Sequence, residues 1–266
     1  MKNNKYRILF GAFLIVFLAA AGFCVYYYAT QKQKEQVYEE LAEEVKATPE
    51  QTPSAEPAKT PEATEEPTPE PTPEVVIPID FDKLQQRNAD IYAWIQIPDT
   101  VVDYPILQSA EDNLYYLNHT VDGAEGLPGS IYTENLNRID FTDKNTVIYG
   151  HNMNDGSMFG GLHQYVDPAY MEAHPDIRIY TPEHIYTYRV FAAVTYDNRH
   201  ILGQYDCNEE PQFQAFLDSV MSVRNIASHF SSETTATVDD RIITLSTCNG
   251  NSEQRFLVEA VLIDEE

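Results

Sequence analysis

An apolar run without a single charge occupies residues 8–28, and Lys2, Lys5 and Arg7 stand just before it. At ~1.5 Å per helical residue such a run can cross a hydrocarbon core of ~30 Å, so a globular unit must be built from the residues beyond it. The basic flank favours an N-terminus inside the cell and the remainder outside. Tyr26, Tyr27 and Tyr28 suit the outer interface. The small residues Ala19, Ala20, Ala21 and Gly22 open the competing reading of a cleaved signal peptide. The apolar run continues past them, which favours an uncleaved anchor. Either reading exports the body of the chain.

Beyond the anchor the composition changes twice. Residues 31–46 carry Glu and Lys and read as a short solvated helix with little apolar face. From Thr48 to Pro73 the chain alternates Pro, Thr and Glu. Such a tract cannot bury enough apolar surface to offset an ordering cost of ~1–2 kcal/mol per residue. Its prolines favour extended polyproline II, with a reach on the order of 80 Å at ~3.1 Å per residue. The expected organisation is a cytoplasmic tail (1–7), a membrane anchor (8–28), an extracellular stalk (29–78) and a folded domain (79–266). Of the 266 residues, the acidic ones outnumber the basic ones enough to leave a net charge of -25. Nucleic acid is a poor partner for so acidic a chain, because its affinity rests on neutralising phosphates. A solvated acidic surface is the plain reading.

The folded domain opens with a short helix, for which Asp80 is the N-cap and Phe81, Leu84, Asn88 and Ile91 the inner face. Short β-branched and aromatic runs succeed it: 93–98, 101–107, 129–133, 146–150, 177–180, 185–196, 241–245 and 256–263. Between the sixth and seventh runs, Phe213, Phe216, Leu217, Val220 and Met221 recur at helical spacing. Many short strands with one long inserted helix point to a mainly β, antiparallel barrel decorated by helices. Trp94 belongs in its core.

Chemistry concentrates at the ends of two of these strands. Residues 244–248, TLSTC, deliver Cys248 at a strand end, Asn249-Gly250 makes a turn, and the returning strand begins near Arg255. Such a hairpin brings a thiol beside a guanidinium. His151 ends the apolar run before it, just past Gly150. A thiol becomes a useful nucleophile with a base or a cation nearby, and these two residues supply one of each. Ser246 and Tyr149 lie two residues before Cys248 and His151, so each shares a strand face with its neighbour. The other six histidines lack a strand-end position. Of the remaining cysteines, Cys24 lies inside the apolar run and Cys207 in a polar stretch that reads as a loop. An oxidising compartment would allow a Cys207–Cys248 disulfide, but the motif around Cys248 favours a free thiol. HExxH, paired CxxC, calcium-loop and glycine-rich phosphate-loop patterns are all missing, so neither a metal nor another cofactor is expected.

TLSTC with its following Arg255, together with YGHNMNDGSMFGGL from Tyr149 to Leu162, resembles the class B sortases, a Cys-His-Arg transpeptidase family of Gram-positive cell surfaces. The resemblance extends from about Phe81 to the C-terminus. It implies an eight-stranded sortase-type antiparallel barrel with an N-terminal helix and an inserted helix between strands 6 and 7. It also implies Cys248 as nucleophile, His151 as proton carrier and Arg255 as oxyanion partner, with Ser246 and, less directly, Tyr149 contacting substrate. The implied substrates are surface proteins with a C-terminal sorting motif cleaved after Thr, and the implied acceptor is a peptidoglycan amine. Hydrolysis of the thioester by water, as in a cysteine protease, and pilus assembly are the alternatives. A papain-like signature is missing, and His151 precedes the cysteine.

Overall fold

The computed structural model describes residues 2–46 and 75–266; residues 47–74, the greater part of the expected stalk, lie outside the described residues. Among the described residues nine strands form one sheet: β1 (Ile91–Gln96), β2 (Asp103–Leu107), β3 (Ile131–Thr133), β4 (Asn145–Tyr149), β5 (Asp176–Tyr180), β6 (Ile185–Asp197), β7 (His229–Phe230), β8 (Ile242–Cys248) and β9 (Gln254–Glu265). Their order is β5-β1-β2-β3-β4-β8-β9-β6-β7, and a further pairing of β5 with β6 closes the first eight into a barrel. The short β7 pairs with β6 alone, beyond the closure. Eight barrel strands agree with the sequence reading. The sheet is nevertheless mixed, because β2 runs parallel to β3 and β4 runs parallel to β8.

Alternation explains which side chains fill the barrel. Trp94, Ile106, Ile131, Ile148, Leu245 and Val258 are all buried in the main core. Helix α2 (Phe81–Arg87) begins as expected, with the Asp80 carboxylate accepting from Lys83 N at 3.1 Å and Phe81 and Leu84 buried. Two short helices, α3 (Pro168–Ala173) and α4 (Ile201–Gln204), punctuate the connections. The inserted helix α5 (Glu210–Met221) lies between β6 and β7 and buries Phe213, Phe216, Leu217 and Val220. These form a second core with Phe191, Val194 and Leu257 on the outer face of the barrel. Met221, placed on the same side by periodicity, ends the helix exposed.

Helix α1 (Lys2–Val45) departs from expectation. Its first part holds the apolar run, which is unburied, with a mean hydropathy of 2.4, and long enough to cross a membrane. The helix then continues without a break into the segment read as solvated. Tyr38, Leu41 and Val45, spaced three and four apart, are buried against the barrel at 3%, 1% and 1% exposure. Burying three such side chains removes on the order of 1.5–3 kcal/mol each from water, enough to hold the contact. A docking face therefore exists where the sequence suggested none. Residues 29–45, the first part of the expected stalk, belong to this helix, and Tyr38, Leu41 and Val45 within them are docked. Lys46 forms an antiparallel bridge with Ile79, Asp80 N donates to Val45 O at 2.9 Å, and Lys46 pairs with Asp103. The two flanks of the Pro/Thr/Glu-rich tract thus lie side by side.

Candidate active site

Three adjacent strands end together. In the parallel β4–β8 ladder Tyr149 pairs with Ser246, and Gly150 N donates to Ser246 O at 3.2 Å. Two residues further along each strand direction come His151 and Cys248, and both reach the wall of one cavity. In the antiparallel β8–β9 ladder Cys248 is the direct partner of Arg255. His151, Cys248 and Arg255 line one cavity of about 340 Å³, and Ser246 and Tyr149 line it as well. All five residues singled out in the sequence are brought together.

The histidine is held in one tautomer. Its Nε2 lies 2.7 Å from the carbonyl oxygen of Leu117. A carbonyl only accepts, so Nε2 carries the proton and Nδ1 is left to exchange a proton with a neighbour. Gly129 backs the ring: it has φ +65°, and a methyl at its α-carbon would stand 2.5 Å from Leu117 O and 3.1 Å from His151 Cδ2. Only glycine fits there, for both conformation and space. Gly150 is equally confined, with a methyl there meeting Ile131 and Phe159 at 2.5 and 2.7 Å.

Cys248 is exposed and free, at the open end of β8. His163, set aside in the sequence reading, donates from Nε2 to the Cys248 carbonyl at 2.9 Å and stacks on Phe256 with ring centroids 4.7 Å apart. It secures the backbone of the thiol. Arg255 is half-buried, its Nη1 donating to Gln254 O at 2.9 Å, which leaves further guanidinium donors for a substrate oxygen.

Cys207 differs in every respect. It is free but buried in the second core, and burial pushes its thiol up to about 12. A thiol held neutral in this way is a packing residue.

The cavity contains residues that sequence reasoning missed. Glu134, only 5% exposed, accepts from His200 Nε2 at 2.7 Å, and both line the cavity wall. The two belong to loops 66 residues apart, so no local pattern connects them. Tyr132 and Tyr149 stack at 5.4 Å beside them. Burial, and then the charge of Glu134, push both phenols upward, while Arg255 pulls the other way. The Tyr149 hydroxyl and Thr247 Oγ1 have no hydrogen-bond partner among the described residues, although both are buried at this cavity. A peptide backbone or amide side chain entering the cavity could satisfy them.

This arrangement holds an exposed thiol, an imidazole with a free nitrogen and a fixed cation, in a pocket with unsatisfied polar groups. Those are the parts acyl transfer requires. Among the described residues no cluster of His, Cys, Asp and Glu is arranged to hold a metal ion.

Comparison with known proteins agrees with this chemistry. A family model described as the sortase domain matches residues 95–263. Sortase B of Listeria monocytogenes is 37% identical over 183 residues, covering 68% of this chain and 72% of that protein. Sortase B of Staphylococcus aureus is 31% identical over 186 residues, covering 69% and 74%. Among solved structures, a sortase B from B. anthracis aligns with a TM-score of 0.63 at 33% identity, covering 73% of this chain and 89% of its own. A sortase B–substrate complex from S. aureus aligns with a TM-score of 0.61 at 30% identity, covering 69% and 84%.

Proposed function

The chain belongs to the sortase family of cysteine transpeptidases, on the class B side, and from that premise we propose that it joins exported proteins to a cell-wall amine through a thioester on Cys248. The convergence of His151, Cys248 and Arg255 on one cavity, dictated by strand register, carries this reading. The Cys248 thiolate attacks the carbonyl carbon of the Thr in a C-terminal sorting motif. Arg255 donates to the oxygen as negative charge develops there. Protonated His151 gives its Nδ1 proton to the departing amine, the C–N bond breaks, and the thioester remains. An incoming amine then attacks the same carbon and loses a proton to His151. The C–S bond breaks and the thiolate is restored.

Ser246 and Tyr149 contact the motif on this reading, and the open hydroxyl of Tyr149 supports it. No cofactor takes part. The acceptor is a peptidoglycan amine. Residues 8–28 anchor the chain in the cell membrane in a single pass, with residues 1–7 inside and the catalytic domain outside. The unburied apolar helix and its basic flank support that orientation. Residues 31–46, docked on the barrel, belong with the catalytic domain of residues 79–266.

The test uses the full chain in detergent with a panel of quenched sorting-motif peptides, each with and without a cell-wall-like amine, read by mass spectrometry. A peptide–amine conjugate that disappears in Cys248→Ala is the expected result. Release of the free acid alone, in the presence of every amine, would replace transfer by hydrolysis.

A further inference from the structure

The hydroxyl of Tyr38 reaches into the loop that holds the candidate catalytic histidine. It donates to Gly129 O at 2.5 Å, accepts from Val121 N at 3.1 Å, and lies 3.0 Å from Ser130 Oγ. Burial pushes this phenol up to about 12, so it keeps the proton it donates. Ser130 in turn donates to His119 O at 2.8 Å and, from its backbone N, to Tyr116 O at 2.9 Å. One loop, residues 116–130, therefore meets Tyr38 at three points. The same loop meets His151 at two: Leu117 O accepts from Nε2, and Gly129 comes near enough that a methyl at its α-carbon would stand 3.1 Å from Cδ2. Gly129 links the two residues, its carbonyl oxygen accepting from Tyr38 and its α-carbon on the side where an added methyl would crowd His151.

We propose that Tyr38 is a positioning residue for His151, so that the helix emerging from the apolar run is part of the active-site scaffold. It acts through the Gly129 carbonyl. With the phenol in place, the Gly129 peptide and the Leu117 carbonyl are fixed relative to each other, and the imidazole is confined between them with Nδ1 free. The proposal rests on the reading of His151 as proton carrier. The loop has other supports, namely Arg87 Nε to Asp122 at 2.7 Å and the Tyr116 hydroxyl to Asp90 at 2.6 Å. Loss of the Tyr38 hydroxyl therefore loosens the loop locally and leaves it folded.

The experiment compares full-length Tyr38→Phe with the parent in detergent, both carrying Cys24→Ala so that Cys248 is the accessible thiol. Two quantities are read: kcat and KM for transfer, and the rate of Cys248 alkylation by iodoacetamide. Tyr38→Phe is expected to lower kcat about tenfold with KM within about twofold, since sub-ångström misplacement of a reacting group costs rate before binding. Alkylation is then measured in His151→Ala and in the double variant. Tyr38→Phe should slow or speed alkylation only while His151 is present, giving a non-additive cycle. Additive effects, or a Tyr38→Phe enzyme with the parent's kcat, would overturn the proposal. A fall in kcat matched by an equal loss of folded protein would also overturn it, as a purely structural effect. If His151→Ala itself turns over like the parent, the reading of His151 fails, and this inference goes with it.

Discussion

His151 and Leu117 stand 34 residues apart in the chain and are joined by a 2.7 Å hydrogen bond from ring nitrogen to carbonyl oxygen. That bond decides which imidazole nitrogen is left free, because the other one is occupied.

Gly129 is the sensitive point beside it. An added methyl would collide with Leu117 O in a backbone conformation that non-glycine residues seldom adopt. Gly129→Ala should destabilise the fold by about 1–3 kcal/mol and reduce kcat more than that loss of folded protein accounts for. Calorimetry and turnover on one preparation separate the two. A variant with the parent's kcat per folded molecule would show that the ring is not held from this side.

Arg255 is placed by strand pairing, and its role needs a charge that can donate several hydrogen bonds. Arg255→Ala should lower kcat by about a hundredfold to a thousandfold, in the range of losing an oxyanion donor. Arg255→Lys should recover only part of it, because a single ammonium does not reproduce the fork. Full recovery by lysine would reduce the residue to a point charge. Steady-state kinetics with a peptide and an amine decides the matter.

Glu259, on β9, is fully buried, and its carboxyl accepts from Thr244 Oγ1 of β8 at 2.7 Å. Burial raises its carboxyl from the ordinary carboxylate range to about 8. A group whose folded value is raised holds its proton more tightly when folded. Its contribution is complete below about pH 4.5 and is lost as pH climbs to about 8. Thermal melts should therefore show stability falling across that window, by an amount on the order of a few kcal/mol for this group. Glu259→Gln should flatten the slope. An unchanged slope would show that Glu259 is already ionised in the native state.

Cys207 and Cys248 offer a contrast in reactivity. The neutral thiol of Cys207 should resist alkylation in native protein at pH 7, while Cys248 reacts. Cys207→Ala should cost about 1–2 kcal/mol in stability and leave kcat per folded molecule unchanged. Peptide mapping after brief alkylation tests the first part. Preferential labelling of Cys207 would contradict its burial.

The reach of the sequence into this structure varied with the range of the signal. Cys248 and Arg255 were legible as partners because one turn and two alternating strands lie within a dozen residues of each other. The barrel was legible as many short strands, but the parallel pairings of β2 with β3 and of β4 with β8 were not. Their partners are remote, and no local pattern marks which edges meet. Helix α1 concealed its docking face because Tyr38, Leu41 and Val45 are few and are interleaved with glutamates. Glu134 and His200 were invisible for a related reason: each is a lone polar residue in a loop, made significant only by closure of the barrel.

The bridge between Lys46 and Ile79 recasts the Pro/Thr/Glu-rich tract as an excursion that departs and returns at one address. The distance from the apolar run to the barrel is then set along helix α1 and not by the length of that tract. Along α1, Tyr28, at the end of the apolar run, and Tyr38, buried against the barrel, stand about 15 Å apart at ~1.5 Å per residue. With both ends of the tract pinned at Lys46 and Ile79, residues added to it or removed from it would leave Cys248 where it stands relative to helix α1.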